Sequence, residues 1–133
     1  MTTPQIFENG FRLRRGEKLN KAIANPQYSY QSGITAFATG GQASATKLQS
    51  TLNEIGTVGT TADSVQLPPA LPGLSITVAN AGANACQVFA AYQDPNAPTI
   101  NAIAGTTGVS LAAGKTAEYI CVKATRWNQL LSA

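Results

Sequence analysis

The chain of 133 residues contains no histidine. Histidine is the side chain most often used for proton transfer near neutral pH, and it is the commonest metal ligand. Its absence excludes Ser–His and Cys–His nucleophile pairs and zinc sites built on histidine. The two cysteines, Cys86 and Cys121, are far apart and form no CxxC spacing. We therefore expect no metal site and no cofactor.

Charged residues are also scarce, at 11% of the chain. Beyond residue 30 the carboxylates are isolated from one another: Glu54, Asp63, Asp94 and Glu118. A glycosidase needs two carboxylates at a defined separation, and lone carboxylates of this kind are typical of a solvated surface. No glycine-rich segment matches a P-loop or a dinucleotide fingerprint. These observations predict a protein that is not an enzyme.

The chain lacks an apolar run of membrane-spanning length and a recognisable signal peptide at its start. We expect no membrane partner and synthesis in a cytoplasm.

Small and polar residues dominate, a composition that suits short strands and tight turns. Alternating apolar residues predict strands over 64–67, 74–79, 85–90, 116–123 and 127–131. The predicted fold is mainly β: a compact antiparallel β-sandwich or barrel-like module over residues 34–133. An extended, partly helical N-terminal arm over residues 1–33 precedes it.

Two turn signals organise the predicted module. Pro68, Pro69 and Pro72, followed by Gly73, predict a corner outside any strand. The segment Asn80–Asn84 contains residues that tolerate positive φ, and it predicts a tight turn in a central hairpin. Residues Tyr92–Pro98 contain two prolines and predict a surface loop.

Three features leave alternatives open. Residues 44–55 fit a helix by the spacing of Leu48, Leu52 and Ile55, but the threonines and flanking glycines favour two strands. Cys86 and Cys121 lie in apolar strands, which favours buried free thiols over a disulfide. For Trp127 a core position is favoured over an interface.

The net charge of +3 lies entirely in the first 30 residues. That segment contains five cations and two acids, Glu8 and Glu17, whereas four acids and four bases cancel in the rest of the chain. A basic arm on a neutral body indicates an acidic partner surface, although a solvated lead-in has the same pattern. Nucleic acid is the less favoured partner, because the two glutamates dilute the cluster.

Several motifs occur together in a fixed order. The segment Asp63–Asn84 reads DSVQLPPALPGLSITVANAGAN, and it is followed by INAIA at 100–104, LAAGKTA at 111–117 and Trp127. Over residues 34–133 this order resembles a small β module of tailed-bacteriophage virion structural proteins, of the capsid decoration or head fibre type.

The resemblance implies a non-enzymatic virion protein that attaches through its arm to the major capsid protein, on the capsid surface, as a homo-trimer. By composition and position, the arm contacts are Phe7, Phe11, Arg12, Arg14 and Arg15. The alternative is a carbohydrate- or receptor-binding module of a tail fibre or spike. In that case the ligand loop contains Tyr92, Asp94 and Asn96.

Overall fold

A computed structural model describes residues 29–39 and 41–133 of the chain. In that part the chain forms one short helix, α1 (Gly41–Ser44), and eleven strands. The strands are β1 (Tyr30–Thr35), β2 (Thr46–Lys47), β3 (Leu52–Thr57), β4 (Ser64–Gln66), β5 (Ser75–Asn80), β6 (Cys86–Phe89), β7 (Thr99–Ile100), β8 (Ile103–Ala104), β9 (Val109–Leu111), β10 (Thr116–Lys123) and β11 (Arg126–Leu131).

The first six strands alternate between two sheets. Strands β1, β3 and β5 pair in parallel in the first sheet, and β2, β4 and β6 pair in parallel in the second. Leu52 pairs with Tyr30 of the preceding turn and with Thr77 of the following turn. Parallel neighbours require a long return connection, and here each return runs through the opposite sheet. The chain therefore winds three coils of a β-solenoid.

The remaining strands complete both sheets, mostly in antiparallel pairing. In the second sheet β9 is antiparallel to β6. In the first sheet β10 is antiparallel to β5 and to β11, while β7 is parallel to β11 and carries β8 at the edge. The strand orders are β1-β3-β5-β10-β11-β7-β8 and β2-β4-β6-β9.

The mainly β class is confirmed, but the antiparallel β-sandwich is wrong. The predicted central hairpin is also wrong, because β5 and β6 lie in different sheets. Residues between Asn80 and Cys86 form a corner that carries the chain from one sheet to the other. A sharp change of direction needs the same turn residues whether the next strand pairs with the last one or leaves it.

The predicted strands themselves lie close to β4, β5, β6, β10 and β11. The segment 44–55 contains β2 and the first four residues of β3, and only Ser44 belongs to α1, so the strand interpretation is confirmed. The corner at 68–73 and the loop at 92–98 are also confirmed. The arm boundary predicted at residues 33 and 34 falls within β1, and the arm up to residue 28 lies outside the described residues.

Alternating side chains of the long strands meet in one core between the sheets. On β10 the residues Ala117, Tyr119 and Cys121 face inward, and on β11 Trp127 does so. Trp127 is fully buried, which confirms its predicted core position. Burial of large aromatic side chains is the main source of hydrophobic stabilisation in a small body such as this one.

The corner after β5 explains the sequence NAGAN. The buried Asn80 side chain donates to the carbonyl oxygens of Asn84 and Leu111, each at 2.9 Å, and accepts from the Gly82 N–H at 2.9 Å. Asn84 donates to the Val58 carbonyl at 2.9 Å. A Cβ atom on Gly82 would lie 2.7 Å from Val58 Cγ2 and 2.9 Å from its backbone nitrogen. The motif thus fixes adjacent coils against each other.

Gly82→Ala should therefore destabilise the protein by about 1–3 kcal/mol, because the added methyl group overpacks a contact with backbone. The measurement is the free energy of unfolding in urea. Gly56→Ala is the matched control, since its Cβ would meet Gly33 Cα at an ordinary 3.4 Å. Equal stability of the two variants would contradict the close packing of the corner.

Candidate functional site

The predicted site residues fall into two groups. The attachment residues Phe7, Phe11, Arg12, Arg14 and Arg15 lie outside the described residues, so their role stays a prediction. The predicted ligand-loop residues Tyr92, Asp94 and Asn96 lie together in the connection between β6 and β7.

A groove lies beside this loop. The parallel strands β2, β4 and β6 end at the same edge of the second sheet, and the residues that follow them line a concavity of about 300 Å³. Its walls include Pro68, Pro69 and the Tyr92 side chain, which is 47% exposed. Lys47 and Gln49 supply polar groups at the same groove.

The buried Gln66 side chain fixes the groove from below. Its Nε2 donates to the carbonyl oxygens of Ala45 at 2.9 Å and Gln42 at 3.1 Å, and its Oε1 accepts from the Tyr92 N–H at 2.9 Å. Gln42 in turn donates to the Ala90 carbonyl at 2.9 Å. Since all these groups are paired, the backbone that carries the Tyr92 ring is held in place before any ligand arrives.

Asp94 fixes the other side of the loop. Its Oδ2 accepts from the Ala70 N–H at 2.9 Å, and its Oδ1 accepts from the Asn96 N–H at 3.0 Å. The neighbouring Gln93 and Ala97 have φ angles of 62° and 44°, a region in which residues other than glycine are strained. Such strain persists only where surrounding contacts over-determine the backbone, and it is often found at binding sites.

The groove combines a flat aromatic ring and two proline faces with an ammonium and an amide that donate hydrogen bonds. This arrangement can bind a ligand that has an apolar face and several acceptor oxygens. It contains no nucleophile and no base positioned for proton transfer.

The two cysteines do not supply a reactive nucleophile elsewhere in the described fold. Both thiols are free and buried, which confirms the free-thiol interpretation. Burial raises the pKa of Cys86 to about 12 and raises the pKa of Cys121, so neither is a thiolate near neutral pH. Within residues 29–39 and 41–133, no group of three or more histidine, cysteine or acidic side chains could hold a metal ion.

Asp63 and Glu118 lie on different sheets. Asp63 is buried at the start of the second-sheet strand β4, whereas Glu118 lies on the outward face of the first-sheet strand β10. Asp63 is therefore a structural residue rather than a solvated one. It accepts hydrogen bonds from the Gly59 and Thr60 N–H groups and from the Thr60 hydroxyl.

Several groove residues were missed by the sequence reasoning. Gln66 was missed because a polar residue between Val65 and Leu67 predicts an outward, solvated side chain, whereas all three residues of β4 are buried. Lys47, Gln49 and Pro69 carried no signal, because only the parallel stacking of coils brings them beside Tyr92.

No protein-family model matches this chain, and no curated protein sequence matches it. None of the helices in the described part of the chain has the length and apolar character needed to span a bilayer.

Asp63 makes stability depend on pH. Burial opposes its ionisation, but the hydrogen bonds from Thr60 and Gly59 hold its pKa below the ordinary value of 3.8. A carboxyl whose pKa is lower in the folded state stabilises the fold above the unfolded-state pKa, and this contribution is lost as the pH falls through the folded-state pKa. We expect the urea midpoint to decrease as the pH falls through the ordinary pKa of 3.8 and below it.

Asp63→Asn should lower the midpoint at pH 7 and flatten this acid dependence, because the amide has no charge and a single acceptor oxygen. Glu54→Gln is the control, since Glu54 is exposed. If Asp63→Asn kept the full acid dependence, another group would be responsible for it.

Proposed function

We propose that this is a non-enzymatic phage virion structural protein, which attaches to the capsid surface through its N-terminal arm and decorates or stabilises the head. The observation that carries the proposal is the segregation of charge. Residues 29–133 contain four acids and four bases, so the net +3 of the chain lies in residues 1–28. Such a segment on a neutral body suits attachment to an acidic protein surface.

The described body fits a display role. Its two sheets enclose one core, Asp63 and Asp94 accept backbone hydrogen bonds, both thiols are buried, and the motifs that resemble the phage module build corners of the solenoid. The arm has the residue types of a protein anchor, because arginines bind carboxylates bidentately and phenylalanines fill pockets between subunits. Homo-trimerisation is part of the same proposal and rests on the resemblance and on the small side chains of the module.

The test is co-sedimentation with capsid shells that lack this protein. A chain with Arg12→Ala, Arg14→Ala and Arg15→Ala should bind at least about tenfold more weakly, since each removed charge-assisted hydrogen bond contributes about 1.5–3 kcal/mol. Its control carries Lys47→Ala, Lys123→Ala and Arg126→Ala, which removes the same charge from the body. Equal binding of the two variants would contradict attachment through the arm, and failure of the wild type to bind would contradict the head location.

The groove favours a second candidate, a carbohydrate-binding module of a tail fibre or spike. A sugar ring presents an apolar face to an aromatic ring and hydroxyl oxygens to donors, which matches Tyr92 with Lys47 and Gln49. Tyr92→Ala should then abolish any saccharide binding seen on a glycan array, and Tyr30→Ala is the control tyrosine. The absence of saccharide binding by the wild type would remove this candidate.

A further inference from the structure

The outward face of the first sheet carries a row of exposed apolar side chains on either side of a threonine and a glutamate. The strand registers place Tyr30, Leu52, Thr77, Glu118 and Leu130 side by side on β1, β3, β5, β10 and β11. Tyr30, Leu52 and Leu130 are 67%, 42% and 54% exposed. A groove of about 550 Å³ follows the row, with Leu52, Leu74 and Glu118 in its walls. Exposed apolar side chains grouped beside a groove are typical of an interaction site.

The charge of this face restricts what can cover it. Around the row, the outward positions of β3, β5 and β10 carry the acids Glu54 and Glu118. The cations of this face, Lys123 and Arg126, lie at the turn between β10 and β11, five residues along β10 from Glu118. The Ser75 hydroxyl donates to Glu118 Oε2 at 2.6 Å and holds the carboxylate on the face, between the uncharged Thr77 and Leu130. A second copy packed face to face would bring like charges together. The face therefore suits an occupant that has both cations and apolar side chains.

The chain itself enters the body at the rim of this groove. The Ser29 N–H donates to Thr51 Oγ1 at 3.0 Å, the Thr51 hydroxyl donates to the Ser29 carbonyl at 2.8 Å, and the Thr51 N–H donates to Ser29 Oγ at 3.0 Å. Thr51 and the next residue, Leu52, both line the groove. Three hydrogen bonds to one threonine thus hold Ser29, where the described chain begins, beside the face.

We propose that residues 1–28 of the same chain bind the outward face of the first sheet, with Lys18 or Lys21 paired to Glu118 and aromatic side chains on the apolar row. The chain between Lys21 and Ser29 is long enough for Lys21 to reach Glu118. Three strand spacings of about 4.8 Å separate β1 from β10, roughly 15 Å, whereas the eight residues from Lys21 to Ser29 span up to about 26 Å. Tethering raises the effective concentration of the segment to the millimolar range. This inference concerns the free protein and does not depend on where the protein attaches.

The first test compares thiol labelling at two equally exposed positions of the full chain. Leu52 lies in the row and Ile103 lies on β8 at the far edge of the same sheet, and both are 42% exposed. With both native thiols buried, Leu52→Cys should react roughly tenfold more slowly than Ile103→Cys, which corresponds to a contact of about 1.4 kcal/mol. Adding Glu118→Gln, or raising the salt concentration, should remove most of the difference. Equal rates would overturn the proposal, and so would protection that disappears on dilution, because that behaviour indicates a second copy.

The second test identifies the occupant. Zero-length carboxyl–amine cross-linking of the full-length protein should join Glu118 or Glu54 to Lys18 or Lys21, as mapped by mass spectrometry. In a mixture of isotopically light and heavy protein, these links should join peptides of the same label. Links only to Lys47, Lys115 or Lys123, or links between light and heavy chains, would overturn the proposal. Whether the protein binds capsid shells is decided by the co-sedimentation experiment and not by labelling or cross-linking of the free protein, so the failure of one proposal is distinguishable from the failure of the other.

Discussion

The amide of Asn80 joins the third coil to the C-terminal strands, and the solenoid depends on this set of hydrogen bonds. Its donors bind the carbonyl oxygens of Asn84 and Leu111, and its acceptor binds the N–H of Gly82. A buried amide without partners would destabilise the fold by about 1–3 kcal/mol, so the corner has a single satisfied arrangement. That arrangement places Gly82 against Val58 of the previous coil. The same corner lies at the end of β5, which pairs with β3, and it joins β5 to Leu111 at the end of β9.

Sequence patterns identified the strands but not their partners. Alternation in Leu74–Ala79 and Thr116–Lys123 reports which side chains face the core, and this is a local property. Whether the strand after Asn84 returns beside β5 or crosses to the other sheet is decided by contacts with Val58 and Leu111, which are distant in sequence. The coils also share no repeated motif, so nothing local indicated parallel pairing. The shortest strands, β7 to β9, have too few residues for any periodicity.

In the candidate groove, too, local sequence patterns predict some residues, and only the fold brings the others together. Tyr92 and the Tyr92–Pro98 loop could be predicted, because prolines and polar residues between two strands indicate an exposed connection. Pro68, Pro69, Lys47 and the loop became neighbours only because three parallel strands end at one edge. Asp94 was predicted as a ligand residue, whereas both of its oxygens accept backbone hydrogen bonds in the loop. Sequence alone does not distinguish a carboxylate that positions a loop from one that is available to a ligand.

Charge is divided between the two parts of the chain, and this division links the proposals. A body with four acids and four bases has little long-range attraction for any partner, whereas residues 1–28 carry the entire net charge. Glu54 and Glu118 on the first sheet offer these cations the same chemistry as an acidic shell. If both proposals hold, residues 1–28 must leave the first sheet before they bind a capsid shell, so the affinity for the shell would be reduced by the fraction of chains in which the face is occupied. The strength of the contact at Glu118 would then set how strongly the arm competes for any external partner.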